Sequence, residues 1–485
     1  MGHIVPKLND DTLYIERAFV NGEWVSATSG GTFPVYGKCP EFSAEDTVSA
    51  VYAANQALPG FRKTLARERA RMLRRWYELV LENAEDLATL VTWENGKPLA
   101  DARDEINYAA SFLEWFSEEA PRVYGDTIPS AIPGQRIITV REPVGICALI
   151  TPWNFPAAMI TRKIGAALAA GCTVIVKAPA ETPFTANAIV KLAQRAGIPK
   201  GVINIVTGLK NTAAIGEVLT THPYIRKLSF TGSTNVGRLL MEQAASTIKR
   251  VSLELGGNSP FIVFEDVRDI EHAVTAAIKA KFRSSGQTCV CANRIYVHRA
   301  IFDQFAELFT QEVRKFKLGP GFNEDTTHGP LIHQRAIDKV DEHVRDAVLK
   351  GAKVVTGGRR APEVGVNFYE PTVLIGMTED MLLAKEETFG PVAALFSFET
   401  EEEVVGLANN SEVGLAGYFF CADIQRAIRV AGALEVGMVG LNTGSISDAA
   451  LPFGGMKQSG FGREGSKYGI EEYLEVKAIT LGGST

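Results

Sequence analysis

Three short segments combine reactive residue types with backbone settings that would put them to use. Gly286-Gln287-Thr288-Cys289 places a thiol beside glycine on a short polar turn, where a substrate can reach it. A thiolate there would be a nucleophile for a carbonyl carbon; taken alone, a cysteine is more often a small buried hydrophobe. Leu253-Glu254-Leu255-Gly256-Gly257 sets a carboxylate at the end of an apolar strand. Desolvation there raises its pKa towards the range of a general base, unless the side chain simply reaches water. Thr151-Pro152-Trp153-Asn154-Phe155-Pro156 forms a loop between a strand and a helix. Asn154 could point its amide at a developing oxyanion, or serve only as a turn or cap.

These segments need a frame, and the hydrophobic pattern outlines one. Leu, Glu and Arg recur at helical spacing from Arg62 to Ala120, broken at Asn95-Gly96 and Lys97-Pro98. From Ile146 short apolar runs alternate with helical patterns. Strands are predicted at Ile146–Ile150, Thr173–Val176, Val202–Val206, Lys227–Phe230 and Val251–Leu255, and helices at Pro156–Ala170, Pro183–Ala196 and Ser233–Ala245. Proline opens the first two helices, and Gly171 and Gly197 close them. Strand and helix in alternation argue a parallel, doubly wound α/β sheet. A second α/β series follows Gly256, with strands expected at Phe261–Phe264, Arg294–Val297 and Lys353–Thr356. Tyr473–Leu481 alternates like a strand without a partner nearby in sequence, a pattern suited to pairing with a distant segment or another subunit.

The composition sets bounds. With 485 residues, two or three domains are expected. A net charge of −6 with no basic stripe gives nucleic acid no surface to grip. Six cysteines (Cys39, Cys147, Cys172, Cys289, Cys291 and Cys421) form neither a disulfide framework nor a zinc-ligand spacing, so no metal is expected and a reducing compartment is. Met1–Asp10 lacks the apolar run of a signal peptide, and Ile164–Val176 is too short to span a bilayer. A cytoplasmic protein is the expectation. Gly460-Phe461-Gly462-Arg463-Glu464-Gly465 matches a dinucleotide fingerprint, but no strand precedes it in the sequence and it is set aside. Phe230-Thr231-Gly232-Ser233, where a strand runs into a helix N-terminus, is the better phosphate site.

The three segments, Phe230 to Ser233, Glu387-Thr388-Phe389-Gly390-Pro391 and Pro452-Phe453-Gly454-Gly455 follow one another in an order that resembles the aldehyde dehydrogenase superfamily over nearly the whole chain. The resemblance implies a doubly wound cofactor domain (9–123, 145–256 and 458–473), an α/β catalytic domain (257–457) and a small β oligomerisation arm (124–144 and 474–485). It implies oxidation of an aldehyde through a thioester on Cys289, with Asn154 and the Cys289 N–H on the oxyanion and Glu254 activating water. It places NADP or NAD at Gly232, Ser233, Leu255 and Lys177, Glu387 on the nicotinamide ribose, and Trp153, Phe389 and Phe453 along the channel. Relatives preferring NAD commonly carry glutamate three residues after that lysine; Ala180 stands there, so NADP is expected to be accepted.

Further segments are similar to the succinate-semialdehyde dehydrogenase branch: Ala157 to Lys163, Lys281-Phe282-Arg283, Cys289-Val290-Cys291 and Gly462 to Gly469. That branch implies a substrate with a carboxylate opposite its aldehyde, held by Arg162, Arg283 and Ser447, and a homodimer or homotetramer. For each arginine the bland alternative is a solvated surface charge. Cys291 is either a redox partner of Cys289 or a packing residue. Rival readings are the same chemistry on glutarate semialdehyde, a CoA-acylating relative, and a non-catalytic binding protein of this fold. The presence of Cys289, Glu254 and Asn154 speaks against the last, and Glu254, as a base for water, against the CoA-acylating one.

Overall fold

The computed structural model describes residues 5–482. Two sheets carry the molecule. The first runs in the order Glu23–Val25, Ala18–Val20, Ile203–Val206, Thr173–Lys177, Ile146–Ile150, Ile225–Thr231, Arg250–Glu254 and Gly460–Phe461. Its five central strands are parallel. They are apolar because helices cover both faces, as a buried parallel sheet requires. From Ile146–Ile150 the chain winds outward through Thr173–Lys177 to Ile203–Val206. It then returns to the other side of Ile146–Ile150 with Ile225–Thr231. The order reverses between these two strands, and the crevice outside their carboxyl ends is where open α/β sheets bind ligands. The Thr151–Pro156 loop and Gly232-Ser233 both leave from that crevice.

The second sheet has the order Lys353–Thr356, Thr372–Ile375, Val392–Phe398, Ala292–His298, Ser259–Val263, Ala416–Phe420 and Met438–Leu441, parallel except at Lys353–Thr356. Both sheets make the fold α/β, as the sequence pattern implied.

Most predicted elements form within one or two residues of their expected limits. The helix expected from Pro156 starts at Ala158, because Phe155-Pro156 belong to the preceding loop. Its first N–H groups are met by the Glu105 carboxylate, which accepts from Ala157 N at 2.8 Å and Ala158 N at 3.4 Å. Gly171 ends it in the left-handed conformation at φ +96°. The Arg62–Ala120 pattern resolves into Ala66–Glu82, Ala84–Asn95 and Leu99–Glu119, with an additional break at Asn83. An earlier helix, Ala44–Phe61, had its own signal: Ser43 and Asp46 form a capping box.

Leu474–Leu481 pairs antiparallel with Arg136–Pro143, and Thr127–Pro129 completes a three-stranded sheet. The tail's partner is thus a distant segment of the same chain. Residues 483–485 of the expected arm lie outside the described residues, as do 1–4 of the N-terminal segment. Among the described residues no helix is long and apolar enough to cross a membrane.

Candidate active site

The carboxyl ends of the first sheet face segments that enter the second. Leu255-Gly256 precedes Ser259–Val263, Cys289 precedes Ala292–His298, and Glu387-Thr388-Phe389 precedes Val392–Phe398. Together they enclose a cavity of about 250 Å³ lined by Trp153, Asn154, Phe155, Met159, Thr231, Gly232, Ser233, Glu254, Leu255, Cys289, Glu387 and Phe389, among others. Most of the residues singled out in the sequence meet there. Lys177, which ends the adjoining strand opposite Ile150, and Ala180 after it do not line this cavity.

The nucleophile loop is held in an unusual backbone. Ser284, Ser285 and Gly286 follow one another at φ +51°, +55° and +76°. Non-glycine residues adopt this region at some cost, and here the surroundings enforce it. The Ser284 N–H donates to Asp101 Oδ2 at 3.2 Å, and the Ser285 hydroxyl donates to the Gly329 carbonyl at 2.9 Å. The turn delivers Cys289 partly exposed into the cavity. Burial pushes its thiol up to about 12, against the pull of the Arg162 guanidinium.

Glu254 ends its strand fully enclosed, and among the described residues neither carboxylate oxygen has a hydrogen-bond partner. It does not reach water at the strand end. Burial first, and then the Glu464 carboxylate, push its pKa well up; Arg162 and Lys163 oppose them. Asn154 donates through Nδ2 to the Gln287 carbonyl at 3.0 Å, which ties it to the nucleophile loop and leaves one amide hydrogen free. Its own loop is clamped from behind: Lys97 Nζ donates to the Asn154 carbonyl at 2.7 Å and to Glu105 Oε2 at 2.6 Å, and Asn95 Nδ2 donates to the Trp153 carbonyl at 3.1 Å. The lysine and glutamate are buried. The sequence reading missed this clamp; its only trace was a lysine between the breakers Gly96 and Pro98.

Arg162 is not a surface charge. It is buried, ion-paired with Glu464, and stacked at 4.4 Å over the Phe453 ring. Phe453 and Glu464 are themselves joined by reciprocal backbone hydrogen bonds of 2.8 Å. Glu464 also takes the Lys163 ammonium, which donates to Ser229 Oγ at 2.8 Å. Neutralisation of Arg162 by a side chain of the chain itself was not anticipated; Glu464 stood inside the fingerprint that was set aside. That fingerprint has no βαβ context: Gly460–Phe461 is a two-residue edge strand antiparallel to Leu253-Glu254.

Arg283 and Ser447 share a second cavity, of about 410 Å³, with Asp101, Asp104, Tyr108 and Ser445. A narrower recess lined by the same arginine and serine reaches Thr288 and Val290 on either side of the nucleophile. Arg283 also lies 5.1 Å over Phe155. Arg162 does not line this cavity.

Cys291 is buried, and its thiol donates to the carbonyls of Lys281 at 3.0 Å and Gly286 at 3.4 Å.

The profile of the aldehyde dehydrogenase family matches residues 23–479. The chain belongs to the aldehyde dehydrogenase family. This aldehyde dehydrogenase is similar to a succinate-semialdehyde dehydrogenase [NADP(+)] of Schizosaccharomyces pombe, 57% identical over 96% of this chain and 95% of the relative. It is similar as well to a glutarate-semialdehyde dehydrogenase of Pseudomonas putida, 54% identical over 98% and 99%. A crystal structure described as an Escherichia coli NADP dependent enzyme superposes with a TM-score of 0.97 at 53% identity, covering 98% of this chain and 100% of that one. The expectation of an NAD(P)-dependent, aldehyde-oxidising enzyme stands.

The residues of the aldehyde dehydrogenase's cavity suit a pyridine dinucleotide. Ser233 caps the helix Thr234–Ala244, whose N-terminus offers N–H groups to an anion. Glu387 Oε1 accepts from the Gly257 N–H at 3.2 Å, and a Cβ at Gly256 would stand 2.8 Å from its other oxygen, so a narrow approach is kept free. Burial pushes Glu387 up to about 7. The Thr231 hydroxyl is buried without a partner among the described residues. The Lys177 ammonium, brought down by burial to about 8, donates to the Gly208 carbonyl at 3.0 Å.

Proposed function

We propose that this aldehyde dehydrogenase oxidises succinate semialdehyde to succinate, accepting NADP and tolerating NAD. The observation that carries the substrate class is the arginine at the mouth of the nucleophile recess: Arg283, with Ser447, lines the cavity that reaches Thr288 and Val290. Arg162, one layer deeper, adds a guanidinium close to Cys289. Arg162 is already paired with Glu464, so an anionic end on the substrate answers the charge of Arg283. Relatives named for succinate and glutarate semialdehydes carry the same inference, and glutarate semialdehyde is the second reading. One methylene separates the two substrates and contributes only about 1–3 kcal/mol of discrimination.

In the proposed mechanism the Cys289 thiolate, its proton released to solvent before the first turnover, adds through Sγ to the aldehyde carbon. The oxygen that becomes anionic is taken by the free Asn154 amide hydrogen and the Cys289 backbone N–H. Gly232, Ser233, Leu255, Lys177 and Glu387 would hold the dinucleotide, with Trp153 and Phe389, in edge-to-face contact at 5.7 Å between centroids, as part of the channel wall. When bound, it supplies the hydride acceptor through which the Cys289 adduct becomes a thioester. Glu254 then takes a proton from water, whose oxygen attacks the thioester carbon. Cys289 leaves as thiolate and the acid is released. A raised Glu254 pKa makes the carboxylate a stronger base for that water once it is ionised.

The same proposal assigns 9–123, 145–256 and 458–473 to the cofactor domain, 257–457 to the catalytic domain, and 124–144 with 474–485 to an oligomerisation arm of a cytoplasmic dimer or tetramer. In support of the last, the three-stranded sheet leaves Ile128, Val476, Ile479 and Leu481 exposed. A bridge between Cys291 and Cys289 would require the Cys291 thiol to leave both its carbonyls; peptide mapping after mild peroxide separates that role from packing.

The test is a screen of aldehydes of two to six carbons, with and without a terminal carboxylate, on wild type and Arg283→Ala. Succinate semialdehyde should lead, and the variant should lose about tenfold to a hundredfold on it while keeping butanal. Equal losses on both would leave the substrate unassigned.

A further inference from the structure

Tyr108 was not among the residues singled out, yet both arginines act on it. It stands on the helix Leu99–Glu119, on the wall of the cavity shared by Arg283 and Ser447. Its ring packs edge-on against Phe112 at 4.8 Å between centroids. The hydroxyl oxygen is out of solvent and its proton has no acceptor among the described residues. The charged groups that act on it are Arg162, which lies against the oxygen, Arg283 and the Cys289 thiol.

A buried O–H without an acceptor costs free energy comparable to a lost hydrogen bond. Two cations cannot relieve it, since guanidinium groups have donors only. A carboxylate in the cavity that Tyr108 and Arg283 line can: it accepts from the phenol and from the Arg283 guanidinium. We infer that the Tyr108 hydroxyl is a specificity-determining donor to the substrate's far carboxylate, completing with Arg283 and Ser447 a site that selects aldehydes with an anionic end. This rests on the substrate class proposed above. Burial also raises the phenol's pKa, despite the arginines, so the donor proton stays in place at neutral pH.

Tyr108→Phe keeps the ring and removes only the donor. On the purified enzyme with NADP, kcat/KM is measured for succinate semialdehyde and for butanal, in wild type, Tyr108→Phe and Arg283→Ala. The inference expects Tyr108→Phe to lose about tenfold on succinate semialdehyde, mostly in KM, the size of a hydrogen bond to a charged group. Butanal should change less than about twofold, and it reports on the same sample that the fold is intact. Equal losses on the two aldehydes, or none on either, overturn the role of Tyr108. If Arg283→Ala is selective while Tyr108→Phe is not, the substrate class survives and this inference alone falls. If wild type itself shows no preference for the charged aldehyde, both fall together.

Discussion

Glu464 holds Arg162 inside the protein by an ion pair, and the same carboxylate takes the ammonium of Lys163. One anion therefore serves two buried cations and, through space, raises the pKa of Glu254. Glu464→Gln should strand both cations at a cost of about 3–5 kcal/mol in stability, read as a lower Tm. It should also remove the repulsion that holds Glu254 up, so the Glu254 pKa falls. Turnover limited by the general base rises as that base ionises, so the acidic limb of the kcat–pH profile should move to lower pH. An unmoved limb in a folded variant would mean that Glu464 and Glu254 are not electrostatically linked in the working enzyme.

The Lys97–Glu105 pair predicts a loss of rate from residues that never meet the substrate. Lys97→Met removes the donor to the Asn154 carbonyl and leaves Glu105 buried without its cation. Stability should fall by about 3–5 kcal/mol. Lys97→Met combined with Glu105→Gln should recover part of the stability but not of kcat, because the oxyanion loop remains unclamped. Recovery of kcat along with Tm would reduce the pair to a folding role.

With burial holding the Cys289 thiol near 12, the enzyme without cofactor should contain little thiolate at neutral pH. Well below the pKa, thiolate rises tenfold per pH unit. Iodoacetamide inactivation should therefore accelerate about tenfold per unit from pH 7 to 9.5 without a plateau. A plateau near pH 8 would contradict the buried-thiol picture.

Ala180 predicts the cofactor balance. Ala180→Glu would place a carboxylate where relatives that prefer NAD carry one, against a 2′-phosphate. Like charges brought together cost several kcal/mol, so kcat/KM for NADP relative to NAD should fall by about tenfold or more. An unchanged ratio would show that Glu181, which already lies near the Lys177 ammonium, sets the preference instead.

The parts legible in the sequence were those with a local signature. Alternation of strand and helix yields the doubly wound sheet, because period and breakers are properties of short windows. Pro183 and Gly171 marked helix limits for the same reason. Asn154, Gly232, Ser233 and Glu254 lay at or just past the ends of predicted strands, where such sheets bind ligands, whereas Glu387 and Phe389 were found only through the family resemblance. What escaped was long-range pairing. Nothing near Arg162 in the chain announces Glu464, and nothing in the helical pattern from Arg62 to Ala120 singles out Tyr108. The buried ion pairs and the tail's pairing with Arg136–Pro143 depend on how elements pack, which no window contains.

The central claim is that Cys289 carries a thioester which Glu254 hydrolyses, and Glu254→Gln tests it most directly. Rapid mixing of this variant with succinate semialdehyde and NADP should release a burst of reduced cofactor approaching one equivalent per Cys289, followed by turnover far below wild type. Cys289→Ala should show no burst. Steady turnover of Glu254→Gln at the wild-type rate would remove Glu254 from the mechanism, and a burst from Cys289→Ala would contradict the thioester itself.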